Sequence, residues 1–467
     1  MGDELWAKGA LELGEMIARR EVTSTEVVEA HLARIDAVNP SVNAIVRRLD
    51  DTARAAAAAA DAAVAAGGPL GPFHGVPMTV KENIDLGGTP TTSSLVAFAE
   101  AIVPTDAPVV ERMKAAGAIP IGRTNLPDLG LRVATESSLH GITRNPWNGE
   151  LTAGGSSGGE GAALATGMSP IGLGNDIGGS LRNPAHCCGI ASIKPSTGVV
   201  PSAATLPPEN FSIMFQLMAV EGVMARCVAD VRAGLMTVAG PHVRDPLALP
   251  VHLADLHRDR PIRVALVADP PGGSTHPEIV TAIRRAADVL ADHGAQVVES
   301  TPPGYERSLE LWATLLVTDI GLLLPLIELV MGPDGMRFLQ FAIEEVPPAD
   351  LTGFGTMLTE RLGVEKEFLR FFEDVDVVLS PTWTQPPFPH GADIVDAAAA
   401  RTTLELLRPV LPANLLGLPA AVVPVGMAGG MPVGAQLTGQ RFADLRCLSV
   451  AQLLEDALGV LTPISPR

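Results

Sequence analysis

The sequence is poor in basic residues and in aromatic side chains. Its 467 residues include 33 Lys and Arg against 52 Asp and Glu, which gives a formal net charge of −19, and only 4% of the residues are aromatic. Phosphate backbones and anionic membranes repel a chain of this charge, so nucleic acid is excluded as an expected partner. The hydrophobic content of 47% still supplies a large core and excludes a disordered chain.

Cysteine is also scarce, with four residues in the chain. Four cysteines give no disulfide framework at this length, and a bridge between the adjacent Cys187 and Cys188 would be strained. His186 precedes this pair, but no second group of ligands follows at metal-binding spacing. We therefore expect structural cysteines and no metal site.

No targeting or membrane-spanning segment is expected from the composition. The N-terminal residues are acidic where a signal peptide would be basic and apolar. The most apolar stretch, residues 309–331, is interrupted by Asp319, Pro325 and Glu328, and it falls short of about 18 uninterrupted apolar residues. These features predict a soluble, cytoplasmic protein without membrane contact.

The spacing of apolar residues predicts helices at the N-terminus and strands further along. Residues 1–66 have helical spacing and include an alanine-rich run that ends at Gly67. A β-α-β unit is predicted over residues 261–300, with its helix at 277–294. Further strands are predicted at residues 75–80, 117–122, 375–380 and 420–425.

These elements predict an α/β/α sandwich in which one central mixed β-sheet, built from both ends of the chain, is flanked by helices. We interpret residues 1–467 as a single domain. Its parts are a helical segment (1–66), a core (70–205), a cover segment (206–400) and C-terminal strands with a helix (401–467). The cover segment is apolar, interrupted by prolines and irregular in pattern, and we expect it to shape a pocket over one face of the sheet.

Residues 154–180, GGSSGGEGAALATGMSPIGLGNDIGGS, place four serines in a glycine-rich stretch without histidine. Such a stretch suggests a nucleophile with close backbone approach around it. It matches G-x-S-x-G, but the strand that an α/β-hydrolase elbow needs is not indicated at 145–153. A dinucleotide-binding loop is also disfavoured, because the glycines miss its fingerprint by one residue.

Lysine is the alternative base for such a serine. Lys81 ends the apolar run GVPMTVK in glycine-rich surroundings and is one of only five lysines. A desolvated lysine is pushed towards its neutral form, which can accept a proton from a hydroxyl. The alternative interpretation, which this pattern alone leaves open, is that Lys81 is a surface lysine at the end of a strand.

Three segments together resemble the amidase signature family. They are GVPMTVKENID (75–85), AGGSSGGEGAALATG (153–167) and GLGNDIGGSLRNPAHCCGIASIKPSTGVVP (172–201). The likeness extends through residues 124–148 and 414–439. The sequence departs from the family at Val223, where we expect proline and infer a reshaped loop near the pocket, and at Ala191 and Ser192, where bulkier residues are common.

The resemblance implies a Ser-cisSer-Lys catalytic device. Residue by residue, Ser180 corresponds to the nucleophile, Ser156 to the serine that a cis peptide bond joins to Gly155, and Lys81 to the base. It also implies an oxyanion hole formed by backbone N–H groups of Ile177, Gly178, Gly179 and Ser180. We expect Ser157 to support the relay by hydrogen bonding, and Asp176 and Arg182 to form a buried pair, with a substrate contact for Arg182 as the alternative.

The implied function is hydrolysis of the C–N bond of small, mostly uncharged amides through an acyl-enzyme, with no metal or organic cofactor. Carbamate or ester hydrolysis on the same scaffold is the alternative, and a glutamine-hydrolysing amidotransferase component is less expected because the chain is strongly acidic. A homodimer is left open. In the segment 305–345 the only basic candidates for binding a substrate carboxylate are Arg307 and Arg337.

Overall fold

The computed structural model describes residues 4–205, 210–254 and 260–467. The strands in this part of the chain are β1 (Ile45–Arg48), β2 (Pro77–Lys81), β3 (Ile119–Thr124), β4 (Glu136–Ser137), β5 (Gly141–Ile142), β6 (Ile171–Asp176), β7 (Ala191–Lys194), β8 (Val220–Ala225), β9 (Arg263–Leu266), β10 (Gln296–Glu299), β11 (Val377–Pro381), β12 (Ala420–Ala428) and β13 (Met431–Gly439).

The α-helices are α1 (Ala10–Ala18), α2 (Ser24–Val42), α3 (Asp50–Ala66), α4 (Pro108–Ala115), α5 (Gly158–Ala165), α6 (Arg182–Cys188), α7 (Ile213–Met218), α8 (Val228–Val238), α9 (Pro277–Asp292), α10 (Tyr305–Ile327), α11 (Pro333–Glu345), α12 (Leu351–Asp374), α13 (Ala397–Leu406), α14 (Leu411–Leu415) and α15 (Asp444–Leu458).

One mixed sheet of eleven strands forms the centre of the molecule, and its order is β1-β3-β2-β6-β8-β7-β12-β13-β11-β9-β10. Alternate residues of a strand enter two separate hydrophobic clusters, as the period of a strand requires: Val223 lies in one cluster and its neighbour Met224 in the other. Helices cover both faces, which confirms the predicted α/β/α sandwich with a mixed sheet built from both ends of the chain.

The cover segment is more regular than the sequence indicates. Its middle consists of the long helices α10, α11 and α12. Prolines mark boundaries here: Pro333 is the first residue of α11, where a missing N–H is harmless, and Pro347 and Pro348 separate α11 from α12. Pro325 lies inside the last turns of α10. The irregular sequence pattern of residues 305–374 therefore folds into regular helices.

The expectation that Val223 reshapes a loop near the pocket is wrong. Val223 is fully buried in β8 and pairs with Leu173 of β6 near the middle of the sheet. A residue with an N–H can occupy an interior strand position that proline would disturb. Ala191 and Ser192 lie in β7, paired with β8, and are likewise buried.

Helix α10 is long and apolar enough, by length and composition, to cross a membrane, and under half of its most apolar stretch is buried. Asp319 within it accepts hydrogen bonds from the Ser212 hydroxyl and the Met214 N–H. Leu311 and Leu315 are buried in the core, whereas Leu322 is exposed. The helix thus packs against the domain along one side, as a core-facing helix does.

Candidate active site

Two neighbouring strands bring the candidate residues to one edge of the sheet. Strands β2 and β6 are parallel, with Val80 opposite Leu173. Lys81 is the last residue of β2, and Ser180 follows the end of β6 by four residues. Because carboxyl ends of parallel strands meet at the same edge, the lysine and the serine loop share one crevice, where α/β proteins commonly bind ligands.

Lys81 is fully buried and reaches the first serine of the glycine-rich stretch. Its Nζ lies 2.8 Å from Ser156 Oγ and 2.7 Å from Asn175 Oδ1. Burial lowers the pKa of Lys81 to about 7, although the carboxyl groups of Asp176, Glu160 and Glu221 act in the opposite direction. Near neutral pH a large fraction of this amine is therefore unprotonated and able to accept a proton.

The backbone before Ser156 is unusual. The peptide bond between Gly155 and Ser156 is cis, as the resemblance implies. A Cβ on Gly155 would lie 2.7 Å from the carbonyl carbon of Val133 and 2.9 Å from the Arg132 carbonyl oxygen, so only glycine fits here. Two residues after Ser156, helix α5 begins and anchors the loop.

Ser180 is 7% exposed and lies beside the cis loop. Its carbonyl accepts a hydrogen bond from the Ser157 N–H at 3.2 Å. The Ser157 hydroxyl is buried without a hydrogen-bond partner in the described part of the chain, so this residue supports the loop through its backbone rather than through its side chain.

The predicted oxyanion donors differ in their present bonding. The Gly179 N–H donates to Asp176 Oδ1 at 2.8 Å, so the structure commits it to the loop. The N–H groups of Ile177, Gly178 and Ser180 have no acceptor among the residues that the structure describes. Those three remain available to an anionic oxygen.

Trp312 of α10 packs directly on this loop. Its Nε1 donates to the Ile177 carbonyl oxygen at 2.9 Å, and a Cβ on Gly178 would lie 2.7 Å from the indole ring. The hydrogen bond sets the direction of the peptide unit between Ile177 and Gly178, and therefore of the Gly178 N–H. A residue of the cover segment thus orients the loop that carries Ser180.

Asp176 and Arg182 form a buried ion pair with contacts of 2.9 and 3.0 Å. Burial opposes ionisation of Asp176, but the Arg182 guanidinium and its hydrogen bonds outweigh it and hold the pKa of that carboxyl well below its usual range. Arg182 also donates to Gln436 Oε1, Asn414 Oδ1 and the Val410 carbonyl. With no exposed surface and its donors engaged, Arg182 holds the loop and does not face a substrate.

Two asparagines contribute to the site without having been predicted. Asn183 Nδ2 donates to the carbonyl oxygens of Gly155 and Gly178, both at 3.1 Å, and so joins the cis loop to the Ser180 loop. Asn175 contacts Lys81. Both lie within the segment that carries the family resemblance, but only the fold shows their partners.

His186, Cys187 and Cys188, the last three residues of α6, do not form a reactive or metal-binding centre. Burial raises the pKa values of Cys187 and Cys188 and lowers that of His186 to about 4. Within residues 4–205, 210–254 and 260–467 there is no group of three or more His, Cys, Asp or Glu that could hold a metal ion. These thiols are protonated, hence weakly nucleophilic.

Comparison with known proteins identifies the family to which the chain is similar. The Amidase family model matches residues 26–448. An indoleacetamide hydrolase of Bradyrhizobium diazoefficiens is 39% identical over 462 residues, which are 98% of this chain and 88% of the relative. A glutamyl-tRNA(Gln) amidotransferase component from Heliobacterium modesticaldum is 31% identical, with 98% of both chains covered.

Among solved structures, that of a bacterial aryl acylamidase of the amidase signature family superposes with a TM-score of 0.82 at 27% identity, covering 96% of both chains. The family match spans most of the chain, and the fold agrees over nearly its whole length. The chain therefore belongs to the amidase signature family and is an amide-hydrolysing enzyme.

Proposed function

We propose that the enzyme cleaves amide C–N bonds through an acyl-enzyme on Ser180, with Ser156 as proton relay and Lys81 as base. The observation that carries the proposal is the environment of Lys81. This lysine is fully buried, its Nζ lies 2.8 Å from Ser156 Oγ, and burial lowers its pKa to about 7. The adjacency of the cis loop to Ser180, through the Ser157 N–H, supports proton transfer between Ser180 and Ser156. Loss of turnover in folded Ser180→Ala tests it.

The protons balance along this relay. Ser180 Oγ attacks the carbonyl carbon while its proton passes to Ser156, whose own proton passes to Lys81. When the tetrahedral intermediate collapses, Ser156 donates a proton to the leaving nitrogen and regains one from Lys81. Water then loses a proton to Lys81 along the same path and attacks the ester. When this second intermediate collapses, Ser180 regains a proton from Lys81 through Ser156, and the acid is released.

The developing oxyanion needs donors that are already aimed at it. We assign this role to the N–H groups of Ile177, Gly178 and Ser180, and a structural role to the Gly179 N–H, which Asp176 holds. In other hydrolases one such donor is worth roughly 3–4 kcal/mol of transition-state stabilisation.

Replacing Trp312 by phenylalanine is expected to lower kcat about 10-fold with KM changed less than about 3-fold. The ring still packs on Gly178, but the hydrogen bond that orients the Ile177–Gly178 peptide is lost, and misaligned oxyanion donors weaken transition-state binding. Steady-state kinetics on a neutral aryl amide measures the effect.

The matched control for this variant is Trp147→Phe. Trp147 Nε1 also donates to a backbone carbonyl, that of Cys188, at 2.8 Å, away from the Ser180 loop. Its kcat should stay near that of the wild type. Equal losses of kcat in the two variants would contradict an orienting role for Trp312.

We propose neutral, apolar or aryl amides as the substrate class. Arg182 is fully buried on its protein partners, Arg307 is paired with Glu360 and Glu310, and Arg337 is exposed on α11. Arg182 and Arg307 are therefore already engaged by protein groups, and burying an unpaired anion beside Trp312 is unfavourable. The indoleacetamide hydrolase relative is named for an uncharged amide that contains an aromatic ring, which agrees with this class.

A neutral aryl amide such as indoleacetamide is expected to exceed its ring-carboxylated analogue by at least about 10-fold in kcat/KM, since ~1.4 kcal/mol of desolvation already gives that factor. Measuring the amide and the ester of one acyl group, and the carbamate of the same amine, in parallel ranks these three bond types. A preference for the carboxylated analogue would contradict the proposed substrate class, and faster turnover of the carbamate would replace amide by urethane hydrolysis.

We also propose that the enzyme works in the cytoplasm. All four cysteines are free, and Cys187, Cys188 and Cys447 are buried, which is typical of proteins from a reducing compartment. Cell fractionation with activity assay of each fraction checks this location.

A further inference from the structure

Lys81 has a second partner besides Ser156. Its Nζ lies 2.7 Å from Oδ1 of Asn175, the residue before the end of β6. Asn175 faces Lys81 because β2 and β6 run parallel, so that both side chains extend from the same edge of the sheet. A base held by a third group is the arrangement that hydrolytic triads share.

The amide of Asn175 is fixed in one orientation. Its Nδ2 donates to Asn83 Oδ1 at 3.0 Å, and Asn83 lies two residues after Lys81. Because the amide nitrogen of Asn175 donates to Asn83, the amide oxygen of Asn175 faces Lys81. An oxygen is the atom needed there, since it can accept a hydrogen bond from an N–H group of the lysine. The orientation of Lys81 is therefore set by a pair of asparagines that bridge β6 and the turn after β2.

A neutral acceptor suits a lysine that must be a base. To accept a proton from Ser156, the Lys81 lone pair must point at Ser156 Oγ, so its N–H groups must be held elsewhere. The Asn175 oxygen accepts one of them without adding a charge, whereas a carboxylate there would stabilise the ammonium form.

The carboxyl groups near Lys81 are either paired or resist ionisation, although each still favours the ammonium form of Lys81. Asp176, on β6, is neutralised by Arg182. On α5, Glu160 accepts hydrogen bonds from Thr79 and Thr124, and burial raises its pKa to about 7. Burial likewise raises the pKa of Glu221, on β8, to about 8.

We infer that Asn175 is a positioning residue that aims the Lys81 lone pair at Ser156 while leaving the lysine neutral, a role that rests on the proposed function of Lys81. Its neutrality is the essential property. Substitution by a side chain of the same shape that carries a negative charge must then change the pH at which the base works, and not merely the rate.

The test is the pH dependence of kcat/KM, and of Ser180 labelling by a fluorophosphonate, in wild type and Asn175→Asp between pH 5 and 10. A carboxylate in contact with Lys81 is expected to move the acid limb of both profiles upward by roughly 1–3 pH units. The matched control is Asn83→Asp, which adds the same charge at the residue that contacts Asn175 instead of the Lys81 amine, and it should shift the limb less.

The outcomes separate this inference from the proposed function. An acid limb that stays at the wild-type pH in folded Asn175→Asp, an equal shift in Asn83→Asp, or no turnover and no labelling up to pH 10 overturns the role of Asn175. Undiminished turnover in Ser180→Ala overturns the proposed function itself.

If Asn175→Asp does not fold, Asn175→Thr takes its place. This variant keeps a shorter neutral acceptor, so we expect kcat to fall while the acid limb stays at the wild-type pH. A limb that moves upward in Asn175→Thr would contradict a neutral orienting role.

Discussion

Replacing Ser180 by alanine is expected to lower kcat/KM for amide hydrolysis by at least ~10³-fold, because no acyl-enzyme can form without its hydroxyl. Lys81→Met should lose a similar factor, since the relay then ends at Ser156 with no acceptor for the proton. Ser156→Ala should retain slightly more activity, because water can partly replace a hydroxyl between Lys81 and Ser180. Steady-state kinetics with the melting temperature of each variant measures these effects.

The chain offers matched controls for these variants. Ser169 is a buried serine of the same glycine-rich stretch that donates to the Ile171 carbonyl at 2.7 Å, away from the crevice. Lys194 is the other fully buried lysine; burial lowers its pKa to about 7 as well, and it donates to the Pro195 carbonyl. Ser169→Ala and Lys194→Met should keep kcat within about 10-fold of wild type. Losses of 10³-fold in the controls would show that buried polar groups in general, and not the relay, sustain activity.

A strong dependence on pH is the second large effect expected. The active form of Lys81 is the neutral amine, and burial lowers its pKa to about 7, so the neutral fraction falls about 10-fold for each pH unit below 7. For an uncharged substrate, kcat/KM at pH 5 should therefore be about 100-fold lower than its value on the plateau above pH 8. Protonation at acid pH removes the base, which fixes the direction of the change.

The measurement is a profile of kcat/KM from pH 5 to 9.5 at constant ionic strength, with fluorescence confirming that the protein stays folded. A profile that is flat down to pH 5 would mean that Lys81 is not the group whose neutral form limits acylation. The neutral aryl ester of the same acyl group serves as the control substrate: if the limb arises from Lys81 during acylation, it appears with both leaving groups.

The sequence predicted part of the sheet, where local pattern decides it. It was wrong for β1 (Ile45–Arg48), which lies inside the segment 1–66 that was expected to be helical and pairs with β3 at the edge of the sheet. The helix expected at 277–294 is α9, Pro277–Asp292, and the strand expected at 75–80 overlaps β2. Lys81 could be singled out because a lysine at the end of an apolar strand is rare in a chain with five lysines. The order of eleven strands could not be predicted, because it depends on pairings between distant segments such as β7 with β12.

The sequence motifs indicated the candidate serines and lysine, but they did not indicate the residues that hold these side chains and their loop in position. Asn175 and Lys81 are 94 residues apart, and Trp312 and Ile177 are 135 apart. These contacts depend on the register of β2 against β6 and on the packing of α10, which no local pattern encodes. The bonding of the Gly179 N–H to Asp176 is likewise a property of the folded loop.

The most direct test of the Ser180 acyl-enzyme is the site of covalent modification. The enzyme is treated with a fluorophosphonate, digested and analysed by mass spectrometry, in parallel with Ser180→Ala. We expect one adduct per chain, on the peptide that contains Ser180, formed with loss of all amidase activity and absent from the variant. An adduct on Ser156 or Cys187, or stoichiometric labelling that persists in Ser180→Ala, would contradict the account.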